Sequence, residues 1–261
     1  VCGDGKGGAR HYFERECSIQ RRHQKVLEEA PSPFLINDQK VREELFSVAL
    51  NAVKSIQYLG AGTLEFIMGE DKKFYFMEMN TRIQVEHPVS EWITGIDLIE
   101  EQIRLAAGLG FSCTQEEIIQ RGHSVECRIY AEDPISYLPK PGYVHAIQNP
   151  EGPFVRIDGN VQSESNIPLQ YDPMISKLST WGRNRDEAIN RMKVALREMN
   201  IVGTAHNISL HLEILDDKRF LSGITTTDFL NDLPRQNFDH PMDVRAFGVS
   251  SISKATTTGF K

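Results

Sequence analysis

Hydrophobic and polar positions are most sharply ordered between Thr63 and Asn80. Two apolar-rich runs, Thr63–Met68 and Phe74–Asn80, flank the polar stretch Gly69-Glu70-Asp71-Lys72-Lys73, which is the pattern of a β-hairpin. Upstream, Val41, Leu45, Val48, Ala49, Val53 and Ile56 recur at helical spacing. They predict a helix from Gln39 to Gln57, capped by Asn37 or Asp38 and packed on the sheet. Downstream, Asp97–Ala107 reads as a helix closed by Gly108, and Thr114–Ile119 as a short helix with Glu117 completing a capping box. Gly122–Tyr130 alternates like a strand. His123, Val125, Cys127 and Ile129 share one face, and Ser124, Glu126, Arg128 and Tyr130 the other. Arg128 is then either the partner of Glu126 or a functional cation. Tyr143–Gln148, Phe154–Asp158 and Met174–Thr180 read as further strands, and Arg185–Met199 and Asn207–Leu215 as helices. Asp172 and Lys177 read as structural.

The remaining segments are punctuated by turn residues. Gly3–Gly8 lacks the GxxxxGK[ST] spacing of a phosphate loop. It reads as a hairpin turn, with His11–Cys17 as the return strand. Glu28-Glu29-Ala30-Pro31-Ser32-Pro33 reads as a proline-stiffened link. From Asn231 the chain turns proline- and threonine-rich, the composition of a linker or disordered tail.

The central hairpin also carries the chemistry. Glu78, Asn80, Arg82, Gln84 and Glu86 have one parity, and an extended backbone aims them at one side. Phe74 and Phe76 share that parity, which predicts that the face is buried, while Tyr75, Met77, Met79 and Val85 suit a packed opposite face. A simple hairpin sets Glu65 across from Glu78. Two bare carboxylates at such range repel unless a cation sits between them. A hard divalent ion such as Mg²⁺ is the natural occupant, with Asn80 as a further oxygen ligand. Arg82 and Gln84 suit a small planar anion, and Glu86 is a candidate base. The rival reading is a solvated hairpin with ordinary charges. The donor-dense run Gln20-Arg21-Arg22-His23-Gln24-Lys25 is either a basic surface loop or a polyphosphate contact.

Composition narrows the function classes. The chain has 261 residues, 40% hydrophobic, enough for one large domain or two small ones. A net charge of −7 argues against a nucleic-acid partner for the whole surface. No apolar run reaches the ~18 residues of a spanning helix, and no secretory pattern is present. The four cysteines show no metal-site spacing and read as reduced thiols, which fits the cytoplasm or an organelle matrix.

Glu78-Met79-Asn80-Thr81-Arg82-Ile83-Gln84-Val85-Glu86-His87-Pro88-Val89 closely resembles the signature of biotin carboxylases, a branch of the ATP-grasp superfamily. Gln20–Lys25 resembles a second signature, and Glu126-Cys127-Arg128 with Ala131-Glu132-Asp133-Pro134 resembles the opening of that family's C-terminal domain. The resemblance covers roughly Val1 to Leu230. It implies an α+β fold: the C-terminal lobe of an ATP-grasp fold, an antiparallel sheet with flanking helices, then a biotin carboxylase C-terminal domain. The expected divisions are residues 1–120, with a lid remnant over 1–26, then 121–232, then a tail over 233–261. It further implies ATP-dependent carboxylation of biotin on a carrier protein, with bicarbonate as substrate and carboxyphosphate as intermediate.

By the same resemblance Glu65, Glu78 and Asn80 hold Mg²⁺ or Mn²⁺ at two sites. Gln20 and His23 lie along the nucleotide, Ile67 lies against its purine, and Lys25 faces bicarbonate and phosphate. Arg82, Gln84 and the Val85 amide bind bicarbonate, Glu86 takes its proton, and Arg128 stabilises the biotin enolate. The implied partners are a biotin carboxyl carrier protein, a carboxyltransferase component and a second copy of the chain, with Arg156 matching an interface arginine. Tyr137-Leu138-Pro139-Lys140-Pro141-Gly142 looks most like the acetyl-CoA carboxylase component of fatty acid biosynthesis. Asp228 departs from the pattern, standing where many members have a histidine near the adenine. Family members carry an amino-terminal domain and a glycine-rich phosphate loop before the point matching Val1, so the isolated chain is expected to be inactive and a longer parent active. The rivals are another ATP-grasp ligase, of carbamoyl-phosphate or purine metabolism, and a non-catalytic interaction module.

Overall fold

The computed structural model describes residues 1–233. Its largest sheet has four antiparallel strands in the order Val155–Gly159, Met174–Gly182, His123–Tyr130, Leu27–Ala30. Val125, Cys127, Ile129 and Leu178 point to one face. They pack against Ala188, Ile189, Met192 and Leu196 of the helix Arg185–Glu198, forming the main core. The predicted alternation of His123–Tyr130 is present, but its polar face is not solvated, and Ser124 and Glu126 are fully buried. The helix His87–Thr94 covers that face, with Trp92 Nε1 donating to Ser179 Oγ at 3.0 Å.

Leu27–Ala30 corrects the reading of residues 28–33 as a link. Leu27 pairs with Cys127 and Glu28 with Glu126, so this strand is the edge of the main sheet. Both glutamates are fully buried. His123 Nε2 and Arg185 Nε each lie 2.7 Å from Glu29 Oε2. A sheet strand from the first part of the chain thus belongs to the sheet of the second, which carries Lys25 beside Arg128.

The glycine-rich start is a hairpin turn as expected. Asp4 Oδ1 accepts from the amides of Lys6 and Gly8, both at 2.8 Å, and Gly5 and Gly7 have φ of 73° and 94°. Cys2–Asp4 pairs with Ala9–Arg10 on one side and Leu59–Ala61 on the other. The predicted return strand at His11–Cys17 is therefore replaced by Ala9–Arg10, and only Glu16 bridges onward, to Glu29.

The helix Gln39–Ser55 is capped by Asp38, whose side chain accepts from the Val41 amide. Leu45, Ala49 and Val53 are buried, but Val48 and Ile56 stand exposed at the margin of the stripe. Leu98–Ala106 forms as expected, with Asp97 as cap. Thr114–Ile119 is only a turn. The Thr114 amide does donate to Glu117 Oε2 at 2.7 Å, yet so short a segment cannot repay helix nucleation. Tyr143–Gln148 divides into Tyr143–Val144 and Ala146–Gln148, which pair with Ser165–Asn166 and Asn200–Val202 respectively. The helices Arg185–Glu198 and Ile208–Asp216 follow the sequence reading within a residue or two.

Leu233 packs in the main core. The rest of the expected tail, 234–261, lies outside the described residues. All four cysteines are free thiols. Among the described residues no helix is long and apolar enough to cross a membrane.

Candidate active site

Thr63–Met68 and Phe74–Asn80 pair as the predicted hairpin, and Glu65 stands directly opposite Glu78. The next pair is Phe66 with Phe76, so Met77 is an extra residue and forms a β-bulge. The bulge flips parity, and this overturns the prediction that Phe74 and Phe76 bury the face of Glu78. Phe66, Phe74 and Phe76 cluster on the other face, with Phe66 edge-on to Phe74 at 5.5 Å and to Phe76 at 5.9 Å. Neither face is packed as expected: Tyr75, Phe76 and Met77 are 61%, 58% and 58% exposed. Ile67, two residues from Glu65 on the same strand, shares its face and is also exposed.

The strand ends at Asn80, so Arg82, Gln84 and Glu86 are not a continued extended run. The chain instead turns into the helix His87–Thr94, with Glu86 at the N-cap position. Gln84 and Glu86 go inward and are buried. Arg82 goes outward, is exposed, and among the described residues donates only to the Ile83 carbonyl, at 3.1 Å. The structure does not bring it into the cluster.

The cluster centres on Glu86. Lys25 Nζ reaches Glu86 Oε1 at 2.6 Å and Glu65 Oε1 at 2.8 Å. Arg128 Nη2 reaches Glu86 Oε2 at 2.9 Å, while its Nε donates to Glu28 Oε1 at 2.6 Å. Glu126, the partner considered from sequence, is not bonded to Arg128. Its two oxygens are buried with no hydrogen-bond partner among the described residues. Gln84 Nε2 donates to Glu65 Oε1 at 2.8 Å, and its Oε1 accepts from Arg15 Nη2 at 2.7 Å. Arg15 Nη2 also donates to Thr63 Oγ1 at 2.8 Å.

The metal candidates stand beside this network. Asn80 Nδ2 lies 3.2 Å from Glu65 Oε1 and 3.1 Å from Glu78 Oε1, and an amide flip would turn its oxygen to the same point. Among the described residues no group of three or more His, Cys, Asp and Glu side chains converges. Two carboxylates and an amide oxygen are nevertheless a hard ligand set that fits Mg²⁺ or Mn²⁺ sharing its shell with phosphate oxygens.

Gln20 and Lys25 are cross-strand partners in the hairpin Gln20–Arg21 and Gln24–Lys25. Its two turn residues, Arg22 and His23, have φ of 48° and 63°. His23 is exposed at the tip and Gln20 half-buried beside Lys25.

Electrostatics divides the carboxyls by role. Burial alone would raise Glu86, but Arg15, Lys25 and Arg128 outweigh it and pull its carboxyl down to about 2. Burial pushes Glu28 up to about 7 against the attraction of Arg128. Burial also pushes Glu126 well above the carboxylate range, with the charge of Glu28 adding to it. Burial works against the charge of Lys25, yet Cys17, Glu86 and Glu65 more than compensate. Glu86 is thus a held anion, Lys25 and Arg128 are its counter-charges, and Glu126 is a buried carboxyl whose pKa burial raises.

Three residues of the site escaped sequence reasoning. Arg15 fell in a segment read as strand, Glu28 in one read as a link, and Lys177 was read as structural. Lys177 donates its Nζ to the Val85 carbonyl. The parity match of Lys177 and Arg128 on neighbouring strands was the one available signal, and it needs the pairing to be known.

Comparison with known proteins places these residues in a family. Residues 1–113 match the model for the carbamoyl-phosphate synthase L chain ATP-binding domain, and residues 126–232 match the biotin carboxylase C-terminal domain. A biotin carboxylase of Nostoc sp. is 49% identical over 234 residues, 89% of this chain and 52% of the relative. A pyruvate carboxylase component of Methanothermobacter thermautotrophicus is 48% identical over 236 residues, 90% of this chain and 48% of the relative. The biotin carboxylase domain dimer of Hydrogenobacter thermophilus 2-oxoglutarate carboxylase, solved with MgADP, ADP and bicarbonate, superposes with a TM-score of 0.86 at 44% identity. The match covers 89% of this chain and 51% of that one. The chain spans about half the length of the relatives it matches. Both halves of the site lie within the matched residues, and the chain belongs to the biotin carboxylase family.

Proposed function

We propose that these residues form the bicarbonate- and biotin-handling part of an ATP-dependent biotin carboxylase, active within a longer parent. The observation that carries the reading is Glu86 gripped on opposite oxygens by Lys25 and Arg128, with Glu65 and Glu78 paired alongside. As a held anion Glu86 is a weak base. Anionic substrates that draw Lys25 and Arg128 toward themselves restore its basicity, so proton removal is coupled to occupancy.

In the proposed reaction Glu86 takes the bicarbonate proton, and the freed oxygen attacks the γ-phosphorus of ATP as ADP leaves. The carboxyphosphate breaks to CO₂ and phosphate, and the phosphate takes the ureido proton of biotin. The biotin nitrogen then bonds to CO₂ while Arg128, released from Glu86, faces the enolate oxygen. Glu65, Glu78 and Asn80 hold Mg²⁺ or Mn²⁺, which when bound neutralises phosphate charge. Gln84 and the Val85 amide orient bicarbonate. Arg82 joins them by turning inward from its exposed position. Gln20, His23 and Ile67 line the nucleotide.

The proposed partners are a biotin carboxyl carrier, a carboxyltransferase and a second copy of the chain. Arg156, the candidate interface residue, is engaged within the chain by Glu91 at 2.6 Å and Asp158 at 2.9 Å. The Tyr137–Gly142 segment supports acetyl-CoA as the final acceptor, and the four free thiols support a place in the cytoplasm or an organelle matrix. Phosphate release and carboxybiotin formation by the parent, each with and without bicarbonate, test the reading. ATP hydrolysis indifferent to bicarbonate, with no carboxybiotin, would rule it out. Transfer to acetyl-CoA compared with pyruvate and methylcrotonyl-CoA tests the acceptor.

A further inference from the structure

We propose that Lys177 is a positioning residue for the Gln84–Glu86 turn, holding the bicarbonate-side backbone from the neighbouring sheet. The inference rests on the biotin carboxylase reading and adds a residue to it. Lys177 is buried, and its Nζ donates to the carbonyl of Val85. It is the cross-strand partner of Arg128. The two cations therefore rise side by side from one sheet and hold consecutive residues of the turn: Lys177 the Val85 carbonyl, Arg128 the Glu86 carboxylate at 2.9 Å.

The helix that follows does not hold the Val85 carbonyl. The Val89 amide turns to Glu86 O at 3.4 Å and the His87 amide to Gln84 O at 3.2 Å, and Glu86 makes no side-chain cap. The turn is thus anchored from outside. Asp158 is a poor alternative partner for Lys177, standing 3.5 Å away and already bound by Arg156 at 2.9 Å. A buried ammonium carries a desolvation cost that an apolar side chain would avoid. Spending that ammonium on the Val85 carbonyl is explained if the turn it fixes must hold the preceding peptide, which carries the Val85 amide, toward an anion.

The test uses the full-length parent with Lys177→Met, Lys177→Gln and Lys177→Arg. Loss of a charged hydrogen bond to the turn should raise the bicarbonate KM of ATP hydrolysis about 10- to 100-fold in the Met variant. The KM for ATP should move less than about twofold, since the residues assigned to nucleotide and metal lie on the hairpins 20–25 and 63–80 and not on the strand of Lys177. The Gln variant, which keeps a neutral donor, should recover part of the loss, and the Arg variant more. Hydrogen exchange at the amides of residues 85–87 should quicken in the Met variant, a change readable without turnover. If the Met variant does not fold, the Gln and Arg variants carry the same comparison. An unchanged bicarbonate KM, or equal rises in both KM values, overturns the role of Lys177 while leaving the carboxylase reading intact. A wild-type parent with no bicarbonate dependence overturns both.

Discussion

Arg128 bonds Glu86 through Nη2 at 2.9 Å, across 42 residues of sequence, so the candidate base and the candidate enolate counter-charge hold each other. Each is unavailable until the other is released. The two residues then act in different half-reactions, and this gives the first prediction. Glu86→Gln in the parent should suppress both bicarbonate-dependent phosphate release and carboxybiotin formation. Arg128→Met should spare much of the phosphate release and cut carboxybiotin by about 30- to 1000-fold, the range for losing a transition-state counter-charge. Parallel assays of both products decide it. Equal losses in the Arg128 variant would assign Arg128 to nucleotide or bicarbonate binding.

Glu65 and Glu78 face each other across the hairpin with the Asn80 amide between them. Glu78→Gln removes one of two carboxylates from the ligand set and should lower MgATP turnover about 100-fold or more. Glu78 is exposed, so the variant should keep its melting temperature within a few degrees. Wild-type turnover at limiting Mg²⁺ would contradict the metal assignment.

What the sequence disclosed follows from how local each signal is. The pairing of Glu65 with Glu78 depends on a short turn and was legible. The burial of their face was not, because a bulge at Met77 leaves no trace in composition and parity counting fails beyond it. Gathering Lys25, Glu86 and Arg128 requires Leu27–Ala30 to pair with His123–Tyr130, and the Glu28–Arg128 contact it creates spans 100 residues. Periodicity cannot report such a pairing, and only the resemblance linked those three residues beforehand. Glu28 and Glu29, next to a proline run, read as part of a link. Burial of both, against Arg128 on one side and His123 and Arg185 on the other, is a tertiary outcome.

Arg22 and His23 occupy both central positions of a two-residue hairpin turn with positive φ, where Asn-Gly is favoured and other L-residues cost roughly 1 kcal/mol each. Arg22→Asn with His23→Gly should therefore stabilise the chain by about 1 kcal/mol, or about 2–4 °C in Tm. If His23 lies along the nucleotide, the same double variant weakens ATP binding in the parent. Thermal unfolding and nucleotide titration read the two effects separately. A lower Tm would show that the tip is held by contacts worth more than the strain.

The last prediction concerns Glu126. It is fully buried, lies between Glu28 and Ser179 in the sheet, and has no partner for either oxygen among the described residues. Burial first, and then the nearby charge of Glu28, raise its carboxyl well above the ordinary range. The folded chain therefore keeps a proton that the unfolded chain releases near pH ~4.3. Stability attached to this proton is fully present below that pH and is lost as pH climbs toward the raised folded value, at about 1.4 kcal/mol per pH unit for one proton. Glu28, pushed up to about 7, adds a loss of the same sign up to that pH. Glu126→Gln mimics the neutral acid and has no proton to lose. Variant and wild type should be nearly equal in urea unfolding at pH 4.5, and the variant should be the more stable at pH 8, with a flatter profile between. Parallel profiles across that range would mean that Glu126 is ionised in the fold, its charge answered by Lys177 and Arg128.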